Sequence, residues 1–170
     1  MPDLVILRHA KSAWPPGVPD RDRPLGPRGL RDAPAAGRLL ARSGILPDLV
    51  LCSPARRTRE TWELASAEFP AAPAVTPEPR LYGAATEEIL DIVRETPSGI
   101  GTLLLVGHNP GLQDLVLTLA GGAGDADALD RIEEKFPTSA VAVLACPGTW
   151  AGLAPGAARL TAFEVPRGTR

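Results

Sequence analysis

The 170-residue chain holds only two histidines, His9 and His108, and each comes directly after an unbroken apolar run. Leu4-Val5-Ile6-Leu7 leads into Arg8-His9, and Leu103-Leu104-Leu105-Val106 leads through Gly107 into His108-Asn109-Pro110. A third run, Leu49-Val50-Leu51-Cys52, ends in Ser53-Pro54, with Arg56 and Arg57 on the first turn of the helix expected next. Short apolar runs that stop at polar residues read as strands buried on both faces. In open α/β sheets, ligands bind beyond the carboxyl ends of such strands. Side by side, these three ends would bring two imidazoles together with the guanidiniums of Arg8 and Arg57. Forked guanidinium hydrogen bonds suit a tetrahedral dianion, and helix N-termini add free N–H groups and partial positive charge. A histidine in such a pocket can act as nucleophile toward phosphorus. A second, protonated one can stabilise charge on the equatorial oxygens. The chemistry requires no metal or other cofactor, and two histidines without a cysteine or carboxylate set make a poor zinc site.

The elements that would position these groups alternate along the chain. Strands are expected at Asp3–Leu7, Leu49–Cys52 and Thr102–Val106, and the irregular 70–79 connection has room for one more short strand. Pro27 to Ser43 reads as a helix with Leu30, Leu39 and Leu40 inward and Gly44 as its stop. Pro34 should kink it or split off its first turns. Ser53-Pro54 reads as N-cap and first residue of a helix to about Glu68. Thr86 is expected to cap a helix running to about Arg94. Asn109-Pro110 repeats the cap-then-proline entry into Leu112–Ala120, and residues 125–134 form a short polar insert that can be helical. Ala140–Cys146 and Ala158–Val165 read as an antiparallel closing pair. The pattern predicts a three-layer α/β/α sandwich on a mostly parallel central sheet. It reads as a single domain over residues 1–170, a usual size for one core.

Composition excludes several classes. Hydrophobic residues are 44% and charged residues 22%, ordinary for a globular chain. The formal net charge of −2 gives no basic field for nucleic acid. No apolar stretch of about 18 residues can cross a bilayer, and the N-terminal run is too short and wrongly flanked for a signal peptide. Cys52 and Cys146 sit inside apolar runs and are expected to be reduced packing residues of a cytoplasmic protein.

Leu7-Arg8-His9-Ala10-Lys11-Ser12 resembles the Arg-His-Gly/Ala signature that opens the histidine phosphatase (phosphoglycerate-mutase-like) superfamily. Further matches are Arg23-Pro24-Leu25 with Gly29, Ser53-Pro54-Ala55-Arg56-Arg57-Thr58-Arg59-Glu60-Thr61, Leu81-Tyr82, Val106-Gly107-His108-Asn109-Pro110-Gly111 and Phe136-Pro137-Thr138. The short length and the His108-Asn109-Pro110 form are similar to the small SixA-type phosphohistidine phosphatases. The resemblance implies that His9 is the phosphorylated nucleophile, Arg8 and Arg57 the phosphate-binding arginines, and His108 the second pocket histidine. It leaves Arg56 at the surface or rim, Ser12 and Arg23 at the entrance, and Asn109 beside the phosphate without a catalytic role. The implied substrate is phosphohistidine on a protein.

Two other readings stay open. Many superfamily members carry an acidic residue that protonates an alkoxide leaving group. Here Leu81-Tyr82-Gly83-Ala84-Ala85 occupies that region, and Glu87 and Glu88 fall in the next helix. Either could supply a proton to a small phosphomonoester such as a sugar or nucleotide phosphate, or both could simply favour the helix N-terminus. The third reading is a module that binds phosphorylated partners without turning them over.

Overall fold

A computed structural model describes residues 2–169. Six strands form one sheet in the order β3-β2-β4-β1-β5-β6. They are β1 (Asp3–Arg8), β2 (Leu49–Cys52), β3 (Val75–Pro77), β4 (Thr102–Gly107), β5 (Val141–Ala145) and β6 (Arg159–Glu164). The first four in chain order run parallel, and β5 is antiparallel to both β1 and β6.

The three layers arise from the two-residue period of a strand. Leu4 and Ile6 of β1, with Leu103 and Leu105 of β4, face one core; Val5, Leu7, Leu104 and Val106 face the other. The first core is closed by α3 (Thr86–Arg94), α4 (Gly111–Ala120) and α5 (Ala126–Glu134), through residues such as Leu90, Leu115 and Ile132. The second is closed by α1 (Pro27–Arg42) and α2 (Arg56–Ser66), through Ala36, Leu40, Trp62 and Ala65. Helices on both faces explain why the central strands read as continuous apolar runs. Cys52 and Cys146 are buried in opposite cores, unpaired, and burial pushes their thiols up to about 12 and about 11.

Several local expectations needed correction. The α1 helix runs unbroken through Pro34; the one hydrogen bond proline forgoes is to the carbonyl of Leu30, which is itself 51% exposed rather than inward-facing. Leu40 is inward as expected and Leu39 packs partly buried against the same core, and the small residues Gly29, Ala33, Ala36 and Gly37 make up the rest of the inward stripe. The helix stops as expected: Gly44 adopts φ +73°, and the Ile45 and Gly44 N–H groups return to the Leu40 and Ala41 carbonyls. Ser53 is not an N-cap, because α2 begins at Arg56 after Ala55. Thr86 is the first helical residue of α3, and the Glu88 carboxylate accepts from the Ala85 N–H at 3.0 Å. Residues 126–134 do form a helix, with Asp125 accepting from the Ala128 N–H.

Arg8 pairs with Gly107 and Cys52 with Val106, so the polar residues after β2, β4 and β1 emerge on one edge of three adjacent strands. The ladder continues past the strand ends: His9 N–H donates to the Gly107 carbonyl and Ser53 N–H to the Val106 carbonyl, while the His9 carbonyl accepts from Ser139 N–H. Gly29 matters for the same edge, since a Cβ there would overlap the Lys11 carbonyl oxygen. Gly29→Ala is therefore expected to lower unfolding free energy by about 1–3 kcal/mol in urea titrations. Gly99→Ala, where a Cβ meets open space, is expected to be close to neutral in the same measurement.

Candidate active site

The His9 and His108 ring centroids lie 5.4 Å apart with planes inclined at 55°. Neighbouring strands about 4.8 Å apart impose that spacing, since each ring sits one residue beyond a paired position of β1 and β4. His9 is buried, and its Nδ1 is 2.7 Å from the Ala10 carbonyl. A carbonyl only accepts, so Nδ1 carries the proton and the neutral ring presents its lone pair at Nε2. The Ala10 segment is itself tied down: its N–H donates to Thr61 Oγ1, whose hydroxyl donates to the Arg57 carbonyl.

On the other ring, His108 Nε2 lies 2.8 Å from Ser53 Oγ. That oxygen also accepts from the Ala55 N–H at 3.4 Å, and its hydrogen has no other acceptor among the described residues, so the hydroxyl donates to Nε2 and the His108 proton sits on Nδ1. Burial pushes His9 down to about 3, helped by His108, Arg8 and Arg57, against the Ala10 hydrogen bond. Burial, then Arg57, pushes His108 down to about 4. Both rings are neutral at physiological pH, whereas the sequence suggested a protonated second histidine.

Arg8 Nη1 donates to the Phe136 carbonyl at 2.9 Å. Arg57 donates from Nη1 to the Asp20 carbonyl at 2.7 Å and from Nη2 to Asp20 Oδ2 at 3.1 Å. The Nε atoms of Arg8 and Arg57 and Nδ1 of His108 are buried without a partner among the described residues. Leaving such a donor unmade costs roughly 1–3 kcal/mol, and all three belong to groups that act electrostatically on His9. The arrangement can therefore supply N–H donors and positive charge to an anion beside an unprotonated imidazole nitrogen.

A sequence model of the "Histidine phosphatase superfamily (branch 1)" matches residues 4–96. The chain belongs to the histidine phosphatase superfamily. An uncharacterized protein of Mycobacterium tuberculosis (strain H37Rv) is 46% identical over 162 residues, covering 95% of this chain and 100% of that one. The structure of a protein assigned as phosphohistidine phosphatase SixA from Nakamurella multipartitia superposes with TM-score 0.84 at 35% identity, covering 97% of this chain and 96% of that one. Its counterpart from Agrobacterium tumefaciens gives 0.82 at 31%, covering 98% and 99%. This is a SixA-type member of the superfamily.

The other expected residues of the family pattern fall at different depths. Arg23 is buried and donates from Nε to Asp20 Oδ1. Ser12 is buried in a bridge to Leu25. The Asn109 amide donates to the Phe136 carbonyl and Gln113 Oε1, and its oxygen accepts from the Gln113 N–H, so its polar atoms hold α4 against the 136–138 segment. Arg56 is exposed and pairs with Glu60 one turn on. The sequence assigns no site role to Asp20, Tyr82 or Ser53, although Tyr82 and Ser53 lie within matches to the family pattern. Tyr82 Oη donates to Asp20 Oδ2 at 2.6 Å and its ring meets His108 edge-on at 5.6 Å. That hydrogen bond, with Arg57, holds the Asp20 carboxyl below its ordinary range against some desolvation. Among the described residues, no three histidine, cysteine or carboxylate side chains cluster to hold a metal ion, and no helix is long and apolar enough to cross a membrane.

The depressed histidines make stability depend on pH. Between about 6.5 and about 3–4, the unfolded chain binds protons at His9 and His108 that the folded chain does not, so stability falls as pH falls. Each histidine steepens the loss by up to about 1.4 kcal/mol per pH unit. Urea midpoints measured from pH 7 to pH 4 are expected to decline more steeply for the wild type than for a His9→Asn/His108→Asn double variant.

Proposed function

We propose that the protein is a phosphatase that works through a phosphohistidine on His9 and removes phosphate from phosphohistidine carried by another protein. The observation that carries this reading is the neutral His9 ring, its Nδ1–H committed to the Ala10 carbonyl, next to the buried Nε donors of Arg8 and Arg57, which have no partner among the described residues. The substrate phosphoryl group takes hydrogen bonds from Arg8 Nε, Arg57 Nε and His108 Nδ1. His9 Nε2 attacks phosphorus in line, a P–N bond to His9 forms, and the P–N bond to the substrate imidazole breaks. The departing ring, protonated at its other nitrogen, takes the bonding pair and leaves as neutral imidazole. The Ala10 carbonyl steadies the positive charge that the phosphorylated His9 ring acquires. Water then attacks phosphorus, the bond to Nε2 breaks, and phosphate leaves with the water's proton lost to phosphate or solvent. Arginine charge meets the phosphoryl charge, so these steps call on no metal.

The substrate class is supported by the carboxylates. Asp20, the acid in contact with the site, is held ionised by Tyr82 and Arg57 and is a poor proton donor at neutral pH. Glu88 is occupied by the Ala85 N–H at the start of α3. An alkoxide leaving group without an acid forfeits about 10²–10⁴ in rate, whereas an imidazole leaves readily from a P–N bond. A sugar or nucleotide phosphate is accordingly the poorer substrate.

His9→Ala is expected to abolish both turnover and acid-labile ³²P labelling of the enzyme, and His108→Ala to reduce both; an active His9→Ala protein would remove the mechanism. A Glu87→Gln/Glu88→Gln variant is expected to keep its phosphohistidine turnover within about twofold, because neither carboxylate serves as the acid. Collapse of sugar- or nucleotide-phosphate hydrolysis in that variant, with phosphohistidine turnover kept, would restore the acid-assisted reading.

A further inference from the structure

Of the three tryptophans, Trp62 and Trp150 are buried and Trp14 is 74% exposed. An indole that open normally belongs to a mobile loop, but this one is fixed. The Ala13 N–H donates to the Pro24 carbonyl, the Gly26 N–H to the Lys11 carbonyl, and Ser12 bridges Leu25, which together clamp the base of the 14–23 loop. The Arg23 guanidinium carbon lies 3.4 Å over the Trp14 ring, a stacked cation–π pair. Arg23 then reaches Asp20, which reaches Arg57. Its charge is also felt at His108. A continuous series of contacts thus runs from the phosphate-binding groups out to a rigid exposed indole. Arg23 adds a second observation: its Nη1 is buried, with no partner among the described residues.

We infer that Trp14 and Arg23 form a docking subsite for the protein that presents the phosphohistidine, outside the phosphate pocket and resting on the proposed function. Small ligands are held in concave sites that bury most of their surface. An indole this exposed has too little around it to close on one, and fits a partner that brings its own surface. Preorganised tryptophans are the usual energetic anchors of protein interfaces. The open face of Trp14 packs against an apolar side chain of the partner. Arg23 holds the indole in that orientation through the stacked contact.

The test compares two substrates on one enzyme: a histidine-phosphotransfer domain phosphorylated with phosphoramidate, and free phosphohistidine. Trp14→Ala is expected to lower kcat/KM on the domain by about tenfold or more, chiefly through KM, and to leave free phosphohistidine within about twofold. Trp14→Phe, which keeps an aromatic face over Arg23, should recover most of the loss. Equal losses on both substrates would mean that Trp14 only supports the fold, and no loss on either would mean that it docks nothing; each overturns the subsite. A loss confined to nucleoside monophosphate hydrolysis would overturn it in favour of base stacking. A wild-type protein that turns over neither phosphohistidine substrate would instead overturn the underlying functional reading, and the subsite with it.

Discussion

Arg8 and Arg57 repel one another inside the protein. Burial first, and Arg57 second, depress the Arg8 guanidinium, and both arginines keep a buried Nε donor unused. Two like charges are stable there because the surroundings hold them by their outer nitrogens alone, through the Phe136 carbonyl on one side and Asp20 on the other. The same excess positive charge adds to burial in keeping His9 and His108 unprotonated. A phosphoryl dianion would satisfy the free donors and relieve the repulsion together. In the proposed reaction, affinity for the anion and readiness of the nucleophile thus share a cause.

What makes the crowding tolerable is the centre of the sheet. Leu4, Ile6 and Leu7 of β1 and Leu103, Leu104 and Leu105 of β4 are fully buried, and their parallel register leaves no freedom in where His9 and His108 emerge. The helical layers on the two faces then add constraints at the same strand ends. Thr61 on α2 ties down Ala10, Asn109 binds the segment before α4 to the Phe136 carbonyl, and α5 leads directly into Phe136. The insert at 125–134 therefore bears on the site through the backbone that comes after it.

Much of this is legible in the sequence, for a physical reason. A strand buried on both faces must be apolar throughout, so the residue at which the apolar run stops marks the sheet edge, and Arg8-His9, Ser53 and Gly107-His108 stand out that way. The residues that escape notice carry no such mark. Asp20 and Tyr82 lie in irregular segments whose positions depend on long-range contacts, and Phe136 acts through its carbonyl, which every residue has. Serine before proline has the local meaning of a helix cap, yet the Ser53 hydroxyl is engaged by His108 instead. Leu30 is a similar case: Leu39 and Leu40 do face the core, but near its start α1 packs through Gly29 and Ala33, and Leu30 is left exposed.

The most direct measurement of the central claim is a crystal structure with vanadate. A vanadium atom bonded to His9 Nε2 is expected, with equatorial oxygens accepting from Arg8 Nε, Arg57 Nε and His108 Nδ1. Vanadate bound elsewhere on the surface, or held by the arginines with His9 turned away from it, would contradict the account.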